Sequence, residues 1–466
     1  MAKKTIKQTI DDIVVSTEEQ MYEVPSNWCW TRIGSLVEIC LGLTHTPTYV
    51  DSGVPFISVK DMSSGYLDMS DTKYITKEEY DSLPYGAKPK KGDILFARVG
   101  TIGVPQVLDI DEEIGTFVSL GFFRLHHENV LREYICHWMN SIIFDEQVAK
   151  NVKGSTLKNL NTGWLKDFQI PLPPLAEQKR IVEQIENLFS KLDEAKVKAQ
   201  FVVDSYDERK AAILYSAFTG KLSQSWRETN VNAASESLEA MYSKDVITDN
   251  TPCELPDNWC WVKMGALGYT NIGLTYSPSD KSDEGTIVLR SSNIQDGQMD
   301  YEDIVRVNMD IPDNKMCKKG DLLICARNGS KALVGKTAIV DKDGMSYGAF
   351  MAIFRSEYNK YIYYFMSSPF FRNLIDSDVS TTTINQVTQG IIKNLMFPLA
   401  PVKEQEYISD KLKDILDKER SARDMAVETI ENIELTKKAI LAKAFRGELG
   451  TNIEDEENNS KFDILD

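Results

Sequence analysis

Residues 171–220 and 398–449 limit what this chain can fold into more than any other stretch, because both predict a long helix built to one pattern. The first reads PLPPLAEQKRIVEQIENLFSKLDEAK and ends AAILYSAFTGK; the second reads PLAPVKEQEYISDKLKDIL and ends KKAILAKAFRGEL. Pro173 and Pro174 forbid a helix before them yet suit its first turn, and Glu177 favours the positive end of the helix dipole. Apolar positions then fall at Ile181, Ile185, Leu188, Leu192, Ala195, Ala199, Val202 and Tyr206, in alternating steps of four and three. That spacing is a heptad seam and predicts a helix lying along another helix. Gly220 stands where a left-handed C-terminal cap would close it. From Leu175 to Phe218 one continuous helix would run about 65 Å.

The partner lies in the same chain. Pro171 and Pro398 are separated by 227 residues, and so are Gly220 and Gly447. At that offset the seam becomes Ile408, Leu412, Ile415, Glu419, Ala422, Ala426, Thr429 and Ile433, with alanines at both central positions, where two backbones could approach closely. The segments preceding the helices repeat as well. Val24-Pro-Ser-Asn-Trp-Cys-Trp30 matches Leu255-Pro-Asp-Asn-Trp-Cys-Trp261, Gly42-Leu-Thr44 matches Gly273-Leu-Thr275, and Lys91-Gly-Asp-Ile-Leu95 matches Lys319-Gly-Asp-Leu-Leu323. The chain is thus a duplicated unit, globular part then long helix, and two copies imply a pseudo-twofold internal repeat rather than a solenoid. The central helix runs out from the first globular part and the second returns, so the two are predicted to pair antiparallel.

Each globular part mixes short β-rich runs (Pro55–Val59, Asp93–Ala97, Thr286–Leu289, Asp321–Ala326) with Gly, Asp, Ser and Asn turns, and carries one helix near its end, at 131–150 and 360–376. The fold class expected is α+β: two α/β domains separated by two long helices forming an antiparallel coiled coil. The boundaries read as an N-terminal mobile arm (1–24), domain 1 (25–170), central helix (171–222), polar linker (223–254), domain 2 (255–397), C-terminal helix (398–449) and acidic tail (450–466).

The net charge of −17 is concentrated in arm, linker and tail, which contribute −2, −4 and −5, whereas residues 255–400 are close to neutral at −1. Overall acidity weakens a nucleic-acid reading without excluding it, because phosphate binding depends on local patches. Seven cysteines without a C-x-x-C argue against both a disulfide framework and a zinc knuckle. No stretch approaches the roughly 20 apolar residues of a membrane span, and MAKKTIKQTIDD lacks a signal-peptide core, so a cytoplasmic protein is expected.

Catalytic motifs fail one by one. Gly329-Ser-Lys-Ala-Leu-Val-Gly335-Lys336-Thr337 puts five residues between its glycines where a phosphate-binding loop has four, and a strand pattern follows instead of a helix. His45, His126, His127 and His137 share no metal-ligand spacing with cysteines or acids. There is no G-x-S-x-G, nor the N/D-P-P-Y/F tetrapeptide of an adenine methyltransferase; Leu172-Pro-Pro-Leu175 has no side chain to accept an amino group. No catalytic residue and no metal site is expected.

Loops suited to DNA do recur. In the first copy the candidates are Thr44, Lys60, Arg98, Gly100 and Thr101, then Lys153, Ser155, Thr156, Lys158 and Asn159. In the second they are Thr275, Arg290, Asn293, Arg327, Asn328, Gly329, Ser330 and Lys331, then Thr382, Asn385 and Gln386. Arginine can fork onto guanine, asparagine onto adenine, and glycine lets backbone approach phosphate. Like scaffolds with unlike tips suit two different short sequences.

With these residues in view the chain resembles the specificity subunit of a type I restriction–modification system, over nearly its whole length. The resemblance is carried by Pro171–Gln178 and Pro398–Gln405 opening the helices, by Ala439–Leu449 closing the second, from which Ala212–Leu222 departs slightly, and by Pro25–Trp28 and Pro256–Trp259 opening the domains. It implies a non-catalytic subunit that binds a bipartite site in double-stranded DNA, each domain reading one half and the helix pair setting the unread gap. It further implies two methylation subunits carrying S-adenosylmethionine, which methylate adenine, and restriction subunits that use ATP and Mg for translocation and cleavage. The acidic total leaves a second class open, a two-headed scaffold spacing protein partners without DNA.

Overall fold

The computed structural model describes residues 13–62, 65–100, 102–151, 160–231, 238, 242, 245–379 and 386–453. The chain forms two compact units, residues 1–199 with 428–466, and residues 200–427. Each contains one globular part and portions of both long helices.

In the first unit the strands are β1 (Cys29–Arg32), β2 (Val37–Leu41), β3 (Val54–Ile57), β4 (Lys73–Ile75), β5 (Ile94–Ala97), β6 (Gly103–Val107), β7 (Gly115–Thr116), β8 (Leu120–Leu125) and β9 (Gln169–Leu172). They make a four-stranded sheet in the order β2-β8-β5-β6, a three-stranded sheet β4-β3-β7, and the pair β1-β9. β3 and β7 run parallel, the other neighbours antiparallel. The second unit repeats this with β10 (Cys260–Lys263), β11 (Tyr269–Ile272), β12 (Lys281–Leu289), β13 (Val305–Val307), β14 (Leu322–Cys325), β15 (Thr337–Ile339), β16 (Ser346–Tyr347), β17 (Met351–Arg355) and β18 (Met396–Leu399). Their order is β11-β17-β14-β15, β13-β12-β16 with β12 and β16 parallel, and β10-β18, the last extended by Val246–Ile247.

The central strands have no alternation because both faces are buried. Ile94 and Phe96 enter one apolar cluster while Leu95 and Ala97 enter another; Leu322 and Ile324 are likewise divided from Leu323 and Cys325. The repeated Lys-Gly-Asp motif is an ion-pair socket beside each strand: Asp93 holds Arg124 at 2.6 Å and Asp321 holds Arg355 at 2.6 Å.

Among the described residues the helices of eight residues or more, in chain order, are α1 (Arg132–Met139), α2 (Ile142–Asn151), α3 (Leu175–Asp204), α4 (Tyr206–Phe218), α5 (Asn359–Met366), α6 (Pro369–Val379) and α7 (Val402–Phe445). The single helices expected over 131–150 and 360–376 are each two. Ser141 Oγ donates to the Trp138 carbonyl at 2.6 Å, and Ser368 Oγ to the Phe365 carbonyl at 2.6 Å, so a serine hydroxyl competes with the helical ladder at each break. The central helix breaks likewise at Ser205, whose hydroxyl donates to the Phe201 carbonyl.

Within each unit the long helices run antiparallel. In the first, Gln184 reaches the Leu449 carbonyl at 3.2 Å, Lys196 pairs with Glu434 at 2.6 Å, and Lys437 with Asp193. In the second, Arg209 pairs with Glu419 at 2.8 Å and Arg423 covers the Tyr206 ring. Ile181 and Ile185 of α3 join Leu441, Ala444 and Phe445 of α7 in the core of the first globular part. Leu214, Ala217 and Phe218 of α4 join Ile408 and Leu412 of α7 in the core of the second.

Away from these cores the seam is narrower than the heptad predicts. Ala199, Tyr206, Ala426 and Ile433 are buried, whereas Ala195 and Ala422 are exposed, and Leu188, Leu192, Val202 and Ile415 are half-buried. Two helices alone cannot occlude two positions per heptad when one is a side chain as short as alanine.

Each helix end closes on a domain opening. A Cβ added to Gly447 would lie 2.4 Å from Pro25 Cγ, and one added to Gly220 the same 2.4 Å from Pro256 Cγ; both glycines have φ of 74°. Only glycine fits that approach in that conformation. Each helix start is also clamped. Glu177 accepts from the Trp28 indole N–H at 2.9 Å and from Asn27 at 3.3 Å, and Glu404 accepts from Trp259 at 3.0 Å and Asn258 at 3.0 Å. The repeated Asn-Trp and Glu-Gln motifs are therefore two halves of one contact.

Described residues of the segments read as a mobile arm (1–24) and a polar linker (223–254) pack against the domains. Val15 N donates to the Trp30 carbonyl, Ile13 and Val15 are buried, and Tyr22 donates to the Phe445 carbonyl at 2.9 Å, so residues 13–24 belong to the first unit's core edge. In the polar stretch after α4, Arg227 pairs with Glu404 at 2.6 Å, Trp226 stacks on Tyr407, and Leu238 is buried. The acidic tail beyond 453 lies outside the described residues.

Candidate nucleic-acid interface

The repeated Gly-Leu-Thr segment carries each domain's β2- or β11-side strand onto the edge of the parallel strand pair. A Cβ on Gly42 would sit 2.3 Å from the Phe117 carbonyl oxygen, and one on Gly273 would sit 2.2 Å from those of Tyr347 and Gly348. Glycine is required there, and the approach leaves the next-but-one residue, Thr44 or Thr275, exposed at the tip of the sheets.

In the second unit this tip opens into a groove of about 1100 Å³. Thr275, Arg290, Arg327, Asn328 and Gly329, five residues nominated from sequence, line it together. Arg290 donates to Asp303 at 2.7 Å, while its Nε is buried without a partner among the described residues. Arg327 is exposed; its guanidinium lies 5.3 Å from the centre of the Phe350 ring and makes no hydrogen bond or ion pair among the described residues. Asn328 Oδ1 accepts from Ser330 N at 3.0 Å and its Nδ2 donates to Ser291 at 3.4 Å, which fixes the loop. Lys281, Tyr276 and Phe350, the last 60% exposed, also line it and were not nominated. Phe350 was detectable as an aromatic one residue before the buried run Met351–Phe354, out of step with any core face.

Other candidates have different roles. Asn293 is fully buried and ties its own loop, accepting from Arg290 N and donating to the Asp300 and Asp303 carbonyls. Ser330 and Lys331 are exposed where the loop enters a single turn of 3₁₀ helix, Lys331–Leu333. β15 follows, so the segment resembling a phosphate loop leads to a strand. Gln386 bridges Arg327 through the backbone. Lys60 is exposed and pairs with Asp71. Gly100 has φ of 78° and open space around it. Thr101, Lys153, Ser155, Thr156, Lys158, Asn159, Thr382 and Asn385 lie outside the described residues.

Arg98 is not placed for reading bases. It is buried, donating through Nε to the Leu160 carbonyl at 3.2 Å and through Nη1 to that of Val118 at 2.8 Å. The cause is register. Arg98 N donates to the Ser119 carbonyl and Leu160 N to the Arg98 carbonyl; in the second unit the same two bonds are Ala326 N to Phe350 and Val387 N to Ala326. Arg98 therefore corresponds to Ala326, not to Arg327, because seven residues separate Asp321 from Gly329 where six separate Asp93 from Gly100. One extra residue turns the arginine from the interior to the groove. Arg98→Ala should accordingly cost the chain about 2–3 kcal/mol of stability by orphaning two carbonyls. Urea denaturation checks this, and a loss below about 0.5 kcal/mol would contradict it.

Two copies of one α/β module, each clamped to helix ends and presenting loop tips that differ between copies, define a duplicated recognition protein. The family model of the type I restriction modification DNA specificity domain matches residues 25–200 and 256–424, and the chain belongs to that family. The type I restriction enzyme EcoKI specificity subunit of Escherichia coli (strain K12) is 24% identical over 450 residues, covering 92% of this chain and 90% of that protein. The EcoBI specificity subunit of Escherichia coli is 26% identical over 316 residues, 65% of this chain and 63% of the other. The HsdS subunit from Thermoanaerobacter tengcongensis, known from a crystal structure, shares the fold with a TM-score of 0.58 at 20% identity, over 92% of this chain and 100% of that one. A chain from a structural study of complex assembly and conformational transition in a type I R-M system gives 0.66 at 21% identity, with the same coverage. The chain is a DNA-specificity component and not itself an enzyme; the scaffold without DNA is not favoured. Among the described residues no helix is long and apolar enough to cross a membrane.

Proposed function

We propose that each globular domain reads one half of a bipartite site in duplex DNA and that the two long helices hold the halves a set number of base pairs apart. The observation that carries this is the groove of the second unit, where Arg290, Arg327 and Asn328 meet Thr275 on one side of a domain whose first-unit twin keeps the threonine, as Thr44, but has Val99 in place of Arg327. The twin scaffold gives two readers of common geometry, and the differing tips give them different sequences. The domain limits proposed are 25–170 and 255–397, joined by 171–222 and closed by 398–449.

Chemistry enters with partners. Two methylation subunits binding S-adenosylmethionine would methylate adenine, and restriction subunits using ATP and Mg would cleave unmethylated DNA. None of those groups has a role for side chains of this chain beyond placing the DNA. With a net charge of −17 the isolated chain should bind duplex weakly at physiological salt, its partners supplying part of the phosphate neutralisation. The test is the adenine methylome of cells expressing the chain with its methylation subunits. A two-part motif with an unread interior of fixed length supports the proposal; methylation without such a motif overturns it.

A further inference from the structure

The one-residue offset after the central strand has a consequence for what the second domain reads. Its groove wall carries Arg327, whose guanidinium is accessible, lies against the Phe350 ring at 5.3 Å, and has no hydrogen-bond or ion-pair partner among the described residues. Its backbone is fixed on both sides: N donates to the Phe350 carbonyl at 3.0 Å, and the chain bridges Gln386. A guanidinium oriented by an aromatic face, on an immobilised backbone, loses little freedom when it forms two parallel hydrogen bonds. Two acceptors side by side on the major-groove edge are the signature of guanine, through O6 and N7.

The first domain cannot do this at the same place. Through the hydrogen bonds that align the two modules, Arg327 corresponds to Val99 and Phe350 to Ser119. Neither offers a cation or an aromatic face, and the nearby Arg98 is turned inward to the Val118 and Leu160 carbonyls.

We propose that Arg327, steadied by Phe350, is the guanine-reading residue of the second domain, and that the first domain reads its half-site without an arginine at the matching position. This rests on the proposal that the domains read DNA. Arg290 is a less suitable reader, because it is held by Asp303 at 2.7 Å.

The experiment measures binding of the complete complex, this chain with its methylation subunits, to duplexes carrying the methylated motif and each single-base variant of it. With Arg327→Ala, discrimination at one guanine of the half-site read by the second domain should fall tenfold to roughly hundredfold, with the other half-site unchanged. Arg327→Lys should keep the salt dependence yet lose most of that discrimination, since an ammonium lacks the fork. Phe350→Leu should lose part of it. Unfolding of the Arg327→Ala chain should match the parent, because no hydrogen bond of the side chain is removed.

A uniform drop for all duplexes with a shallower salt slope would make Arg327 a phosphate contact and overturn the inference. Retained discrimination at every guanine would overturn it too. Failure of the underlying reading looks different, because the unaltered complex would then show no sequence preference at all.

Discussion

Glu404→Ala is expected to remove about 3–5 kcal/mol from the stability of the second unit, a large share of what a domain has. Glu404 is fully buried at the first turn of α7, where one carboxylate receives the Trp259 indole, the Asn258 amide and the Arg227 guanidinium at 3.0, 3.0 and 2.6 Å. Alanine leaves two N–H groups without acceptors and the mostly buried Arg227 guanidinium without its counter-charge, with Ser223 Oγ and the Gly220 carbonyl still accepting from it. Chemical denaturation of the full chain followed by tryptophan fluorescence measures this; a loss under about 1 kcal/mol would contradict it.

The twin residue should behave differently. Glu177 receives Trp28, Asn27 and the Thr451 hydroxyl, with no guanidinium hydrogen-bonded to it among the described residues. Burial pushes its carboxyl above the ordinary value, against the pull of those hydrogen bonds and of Arg180. Since the folded form holds the proton more tightly than the unfolded, the stabilisation from protonation is complete below the unfolded value and lost as pH rises through the folded one. Glu177→Gln keeps an acceptor for Trp28 and Asn27, so it should be tolerated at neutral pH and remove that pH dependence. The equivalent Glu404→Gln removes the counter-charge of the mostly buried Arg227 and should not be tolerated.

That asymmetry shows what the sequence conveyed and what it did not. The duplication, the strand runs at Ile94–Ala97 and Leu322–Cys325, and the closing glycines were legible because each depends on local pattern or on a motif met twice. The attachment of Trp226, Arg227 and Leu238 was not, because Arg227 finds its charge partner 177 residues away in a stretch that is otherwise polar. The breaks at Ser141, Ser205 and Ser368 were hidden in apolar periodicity, which does not register a hydroxyl turning back on its own helix. Arg98 was misplaced among the candidates for a related reason. Matching Arg98 to Arg327 by residue type overlooked the residue count from the Asp93 and Asp321 sockets, and that count decides which way a side chain faces.

The second large effect concerns the gap. Four residues inserted between Val197 and Lys198, with four more between Glu431 and Asn432 to keep the facing helices matched, should lengthen the strut by about 6 Å. Duplex DNA rises about 3.4 Å per base pair, so the unread interior of the motif should grow by one or two base pairs. Four residues also turn a helix about 40° beyond a full revolution, comparable to the twist of one base pair, so the displaced domain should still face the groove it reads. A single-residue insertion turns the seam by about 100° and should disrupt folding instead. Methylome sequencing reads the result. Retained methylation with an unchanged interior would mean that the helices do not measure the DNA.

The central claim, that two like modules read two unlike half-sites independently, is tested most directly by exchange. Residues 255–397 are replaced by the corresponding domain of another specificity subunit, leaving Glu404 and both helices in place. The chain is then expressed with its methylation subunits, and methylated adenines are mapped across the genome. The account predicts a motif with one half replaced, the other half retained and the interior length conserved. A motif changed in both halves, or in neither, would contradict it.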